Sequence, residues 1–455
     1  MHVPTHPDAG GKLPRGAVIW LGLLVVLIYA SSQGGVFQFD DYNVIVDQPA
    51  IHSGSAWLAD WGEGIRPLLK LSYLLNWTSG WGTVGFHLVN ILIHFGAVLL
   101  VYRLSHILLL AKGMADQLPY APWLAAALFA LHPAHTEAVT YICGRSSSLM
   151  ALLFLAGVWS HATAVSMHST ALRKLLPPLF MVLALSVKET AMTFPLALLL
   201  WDTFSGMGIK AALRKAWRSW AVLLLAAFFF LLNTAYREAM WRSLEFNSLP
   251  GNLATQLTAL LYLARQWAVP LWLNIDPDLP VQHDFAHALP GLALLLASFA
   301  VLLYGWHSRS IPAFAVAWAL LDWMPLYLFL PRLDVANDRQ LYLATWPLGL
   351  ALVVELQSRL SQRIAMGVAA ALLLAGAVLT VQRNQDYRSE IALWEQTVAL
   401  SPGKSRAHNN LGYAYMEAGR TADARREYLQ ALRLDAGNVK ARLNLRRMNA
   451  ASASH

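Results

Sequence analysis

The sequence predicts an all-α protein: a polytopic membrane helix bundle of about eleven crossings, closed by a small C-terminal domain of helical repeats. Three observations predict it. Of 455 residues, 57% are hydrophobic and 13% charged, about half the ~25% charged share of soluble domains. Apolar runs close to the ~20 residues that span a bilayer recur up to residue 382. From residue 383 the chain turns polar with a helical period and carries a repeat pattern. Such a composition excludes an ordinary soluble enzyme and a disordered chain. The excess of 34 Lys and Arg over 26 Asp and Glu, a net +8, marks cytoplasmic loops and is no argument for nucleic acid. The single cysteine, Cys143, excludes an intramolecular disulfide and a cysteine-based metal site.

In chain order, the crossings are read at 14–32, 86–110, 121–135, 148–165, 173–187, 190–204, 219–235, 289–306, 311–330, 341–356 and 364–382. The first follows Lys12 and Arg15. It is read as an uncleaved anchor, although Ala30-Ser31-Ser32 resembles a cleavage site. With the N-terminus inside, basic residues dominate the cytoplasmic segments, most densely at Lys210, Arg214, Lys215 and Arg218, and acidic residues dominate the outer ones. Counting 258–273 as a further crossing would bring Asp276, Asp278 and Asp284 inside. With Arg265 and Gln266 at its middle, that stretch is read as a re-entrant or interfacial helix. The chain thus divides into a membrane domain, 1–382, whose first outer loop covers about 33–85, and a tail, 383–455, on the outer side.

The tail places Leu411-Gly412, Tyr415, Gly419, Ala424, Tyr428 and Ala431 at the offsets of one tetratricopeptide repeat over 405–438. A helix with Trp394 precedes it, and 439–449 read as a closing helix. One repeat cannot bury its own apolar face. It must lean on the membrane domain, a partner or another copy. Concave arrays of this type bind extended peptides, so acceptor presentation and a packing cap are alternative roles for the tail.

Polar groups gather in the outer segments. Phe39-Asp40-Asp41-Tyr42 opens the first outer loop, and carboxylates beside a membrane are costly to desolvate. In extended chain the two side chains point opposite ways. Arg66-Pro67-Leu68 and Leu75-Asn76 follow. His87, Asn90 and His94 share one helix face, either as packing groups or lining a cavity. His132-Pro133-Ala134-His135-Thr136-Glu137-Ala138-Val139 precedes Gly144-Arg145. Lys188-Glu189-Thr190 lies between two crossings, and Asn337-Asp338-Arg339 precedes Tyr342. All fall on one side of the membrane. Two Asp with Arg66, Arg145, Lys188 and Arg339 suit an anionic ligand and a general base. The alternative is a set of ion pairs tying loops together, for example Glu137 with Arg145.

The order of these motifs, closed by the repeat, resembles the transmembrane and tetratricopeptide-repeat O-mannosyltransferase-like family, glycosyltransferases of GT-C architecture related to the protein O-mannosyltransferases. Two departures stand out: the tail holds barely one repeat, and the acidic-basic pair before the last crossings is Asp338-Arg339. The resemblance implies inverting transfer of a sugar from a polyprenyl-phosphate donor to an acceptor hydroxyl, with the first-loop acidic pair as catalytic element. Asp41 is the expected base, with Asp40 second, because a hydroxyl nucleophile must lose its proton during attack. Arg66 and Arg339 are expected at the donor phosphate, with Arg145 and Lys188 in reserve, since fixed cations stabilise the leaving phosphate. His132, His135, Glu137, Glu189 and His87 are expected around the substrate, with Glu189 holding Lys188 or the sugar. No cofactor is expected beyond the lipid-linked donor, and no metal is assigned; a divalent cation on the acidic pair is the alternative. The expected acceptor is Ser or Thr of an exported or membrane protein, at the periplasmic face of a bacterial inner membrane. Transfer to a lipid or glycan, and a non-catalytic scaffold recruiting partners through the repeat, are the competing functions.

Overall fold

A computed structural model describes residues 14–62, 64–164, 171–245, 249–282, 285–324, 328 and 334–453. Among these every regular element is helical. The segment after α1 (Arg15–Tyr29) contains α2 (Gly54–Asp60) and α3 (Pro67–Ser79). The membrane part continues with α4 (Gly82–Ala111), α5 (Ala121–Ala130), the short α6 (Thr136–Val139), α7 (Arg145–Thr163), α8 (Ala171–Leu185), α9 (Phe194–Phe204), α10 (Ile209–Lys215), α11 (Trp217–Leu232), α12 (Thr234–Glu245), α13 (Leu249–Ala268), α14 (Leu289–Trp306), α15 (Ile311–Trp323), α16 (Leu341–Arg359) and α17 (Gln362–Asp386). The tail holds α18 (Glu390–Leu400), α19 (Ser405–Glu417), α20 (Thr421–Leu434) and α21 (Val439–Ala453).

Each expected crossing contains a helix, but length separates them. Among the described residues six helical segments are long and apolar enough to span: Arg15–Gly34, Gly82–Ala111, Ile142–Thr163, Leu289–Trp306, Asp338–Arg359 and Gln362–Asp386. The pair α10 and α11, bent by 62°, makes a seventh if it is one span. α5 has 10 residues and α9 has 11. At ~1.5 Å per residue each covers roughly half of a ~30 Å hydrocarbon layer. Part of the expected crossing 311–330 lies outside the described residues, as do Lys12 and Asp284.

The bundle is centred on α4, α5, α7, α15 and α16. Trp318 and Trp346 meet edge to face at 5.0 Å, and the Trp346 indole donates to Ser105 Oγ at 2.9 Å. That bond lets a fully buried tryptophan keep its polar end satisfied. One end of the bundle is fixed by Lys112 on the Arg309 carbonyl and by Phe204 against Trp306. Asp202 accepts there from both His161 and Lys215 at 2.8 Å.

α13 has both termini at the opposite end. Thr255 Oγ1 accepts from the Gln282 amide at 2.9 Å, and Asn252 reaches the Leu328 carbonyl at 2.7 Å. At its far terminus Tyr262 donates to Asp338 at 2.8 Å, and His132 meets the Trp267 carbonyl at 3.1 Å. α13 therefore lies across that end instead of passing through the bundle.

α17 leaves the bundle and leads into the tail. α19 and α20 form a hairpin in which Gly412 permits the approach: a Cβ there would sit 2.8 Å from the Tyr428 ring. The repeat packs against α18 and α21 of the tail itself, and its contact with the membrane part is polar, through Arg406 and Lys404 on Asp276.

Candidate active site

The site is built from the loop after α1. Phe39 adopts a left-handed backbone, φ 49°, uncommon for a bulky residue. The turn sends the two following carboxylates to different places. Asp41 is 1% exposed. Its Oδ2 accepts from the Gln38 amide at 2.9 Å and its Oδ1 from the Cys143 amide at 2.8 Å. Burial pushes Asp41 up to about 7, against those hydrogen bonds. Asp40 is half-buried, with its own amide donated to the Tyr141 hydroxyl at 3.0 Å. No described residue hydrogen-bonds its carboxylate. Burial raises Asp40 above the usual carboxylate range; Arg339 and Arg406 oppose this, while Asp334 and Asp276 add to it.

Arg339 stands in a short turn that starts with Asn337 in a reciprocal cap with Gln340. Its amide donates to Glu137 Oε2 at 3.0 Å, and its Nε lies 3.5 Å from Oε1. Glu137 is buried, and burial raises its pKa while Arg339 opposes the rise. The adjacent Asp338 accepts from Tyr262 and from the Asn274 amide, each at 2.8 Å. The Arg339 charge acts on Asp40 and on Arg66 as well.

Arg66 is also left-handed, φ 56°. It grips Glu189 with two hydrogen bonds, of 2.9 and 2.8 Å, and its side chain stays 27% exposed. An apolar cavity of about 340 Å³ adjoins this pair, lined by Trp61, Pro67, Leu185, Leu225, Phe229 and Tyr236. Lys188 is buried and donates to Ser147 Oγ at 2.8 Å. It shares a cavity of about 20 Å³ with Thr190, Asp322 and Arg339, the scale of a single water.

Several expected site residues are occupied by packing. Arg145 is wholly buried and spends its guanidinium on Asn90 at 2.6 Å and on the carbonyls of Ser72 and Phe86 at 3.0 Å each. It also lies over the Tyr73 and Phe86 rings. It does not pair with Glu137, whose partner is Arg339. Glu189 pairs with Arg66. His135 is fully buried among Phe129, Tyr342 and His132, with ring centroids at 4.5, 4.6 and 5.5 Å. His87 is buried beside the Gly35 carbonyl at 3.3 Å.

Sequence reasoning missed the part of the site supplied by the tail. The Phe39 amide donates to Glu390 at 2.9 Å, and its ring meets Trp394 edge to face at 5.0 Å. Gln38 donates to the Tyr387 carbonyl at 2.7 Å. Arg406 holds Asp276 with two bonds, 2.7 and 2.5 Å, and touches Asp334 at 2.5 Å. Lys404 adds a contact to Asp276. These contacts join residues more than 70 apart in sequence, where no local pattern announces them. The geometry thus offers an open carboxylate, fixed cations and an apolar cavity, gathered at one end of the bundle under the tail.

Comparison with known proteins agrees with the resemblance carried by the motifs. Residues 405–438 match the tetratricopeptide repeat family model. A protein O-mannosyl-transferase of Caenorhabditis elegans is 25% identical over 444 residues, covering 90% of this chain and 62% of the relative. Protein O-mannosyl-transferase Tmtc3 of Drosophila melanogaster is 26% identical over 523 residues, covering 93% of this chain and 55% of the relative. Protein O-mannosyl-transferase TMTC4 of Homo sapiens is 33% identical over 208 residues, 40% of this chain and 28% of the relative. The chain therefore spans less than two thirds of the length of these relatives. No solved structure matches it.

Proposed function

We propose that the protein is a membrane glycosyltransferase that moves a sugar from a polyprenyl-phosphate donor to a Ser or Thr hydroxyl of an exported protein, with inversion, on the outer side of the membrane. The names of the relatives support transfer to protein. The observation that carries the reading is the half-exposed Asp40 carboxylate set between the Arg339 charge and the tail. The apolar cavity lined by Pro67, the neighbour of Arg66, and by Tyr236 and Phe229 supports a lipid-borne donor, whose isoprenoid chain it would take.

The acceptor oxygen attacks the anomeric carbon while Asp40 takes its proton. The bond from that carbon to the phosphate oxygen breaks, and its electron pair leaves with the lipid phosphate. One displacement from the opposite face inverts the anomeric centre. Arg66 and Arg339 stabilise the charge that grows on the phosphate, where a water-poor site makes fixed cations most effective. Lys188 stands behind them beside Asp322 and Arg339. Asp40, not the expected Asp41, is the base in this reading, because both Asp41 oxygens are spent on backbone amides. Arg145 and His135 hold the fold around the site.

The test is a reconstituted assay with polyprenyl-phosphate-mannose and a Ser/Thr peptide, read by mass spectrometry. Asp40→Asn is expected to lower kcat by about 10²–10⁴-fold, the usual worth of a positioned base. Unchanged turnover would remove Asp40 from the chemistry. Sugar appearing on lipid and not on peptide would reassign the acceptor.

A further inference from the structure

Among the described residues, two of the three non-glycine residues with positive φ, Phe39 and Arg66, flank the candidate site. Arg66 is held by its ion pair. Phe39 has no charge to hold it, and a bulky residue in that region is strained and persists only where its surroundings fix it. Those surroundings come from the tail. Glu390 stands in the first turn of α18 and accepts the Phe39 amide at 2.9 Å. The buried Trp394, one turn on, takes the Phe39 ring at 5.0 Å. The preceding residue, Gln38, is tied to the Tyr387 carbonyl just before α18.

The next two residues are tied to the bundle instead. Asp40 donates its amide to Tyr141, and Asp41 accepts from Cys143. The chain therefore changes anchor between Phe39 and Asp40, and the left-handed turn sits at that change. Flipping Phe39 into an ordinary conformation would redirect the Asp40 side chain. We propose that α18 is a positioning element: Glu390 and Trp394 lock Phe39 in its left-handed conformation and thereby aim the Asp40 carboxylate at the acceptor. This rests on Asp40 being the base. It makes the tail part of the catalytic geometry and not only a platform for other proteins.

The experiment compares full-length Glu390→Ala, Glu390→Gln and Asp40→Asn in the reconstituted assay, together with hydrogen exchange at the Phe39 amide. Glu390→Ala is expected to lower kcat about 10–100-fold with donor KM held within about 2-fold, because small misplacements of a reacting group carry penalties of that order. Glu390→Gln keeps an acceptor oxygen and is expected to retain kcat within about 3-fold, while exchange at Phe39 quickens at least ~10-fold in the alanine variant alone. Where Glu390→Ala does not fold, Glu390→Asp, one methylene short, carries the same expectation. Wild-type kcat in the alanine or aspartate variant, or equal loss in the glutamine one, overturns the positioning role. If Asp40→Asn leaves turnover intact, the reading of Asp40 as base falls. The exchange data then still decide whether α18 locks the loop: unchanged exchange at Phe39 shows that it does not.

Discussion

Asp40 and Asp41 are neighbours in sequence with opposite surroundings, and the difference is testable. Replacing Asp41 by Asn puts an amide NH₂ against one of two backbone N–H groups, leaving a buried donor unmet. We expect a loss of about 1–3 kcal/mol in stability by thermal unfolding, with kcat affected less than by Asp40→Asn. The pH dependence of Asp41 has a definite sign. Its folded pKa of about 7 stands above its unfolded value of 3.8, so the native state binds the extra proton. Its contribution is full below the unfolded value and is lost as pH rises towards 7. For Asp40 the raised pKa acts on rate: a base must be ionised, so kcat should fall as pH drops through that raised value and the acid limb should vanish in Asp40→Asn. Arg145 behaves as a core residue. Arg145→Leu strands Asn90 and two carbonyls, and should cost at least ~2 kcal/mol in unfolding experiments.

At the scale of elements, much was legible. Periodicity and apolar runs place a helix in every expected crossing, and the repeat offsets locate the α19–α20 hairpin, with Gly412 beneath Tyr428. The Gly144-Arg145 motif reads differently in three dimensions. A Cβ on Gly144 would collide with the Glu137 backbone, so the glycine seats the turn that carries Glu137. Gly144→Ala should therefore lower the melting temperature and loosen the Arg339 pair, a backbone clash that side-chain repacking does not relieve. What the sequence could not tell was pairing. Glu137 and Arg145 are close in the chain, yet Glu137 pairs with Arg339, and Glu189 reaches Arg66 more than a hundred residues away. Adjacent residues point apart, and partners are chosen by helix packing, which has no local signature. The order of the two carboxylates was hidden for the same reason: only the approach of Cys143 shows which one is consumed.

At the scale of the molecule, the tail is clasped by charge. Asp276 is buried with Arg406 and Lys404 upon it. Asp276→Asn leaves Lys404 facing a neutral group and Arg406 with only Asp334, and should loosen the clasp by about 1–3 kcal/mol, the worth of hydrogen bonds to a charged group. Limited proteolysis after Lys404 would report it as faster cleavage. None of this was visible from the tail's own pattern, which shows only that a single repeat needs support.

Asn384, in the last turn of α17, donates to the Ile28 carbonyl at 2.9 Å and accepts from Thr140 at 2.6 Å. One side chain thus ties the exit of the last membrane helix to the end of the first and to the turn beyond Glu137. Only Tyr387, Arg388 and Ser389 separate α17 from α18. The tail therefore has little slack relative to the membrane helices, and a displacement of α18 would pull directly on Phe39, which it holds through Glu390 and Trp394.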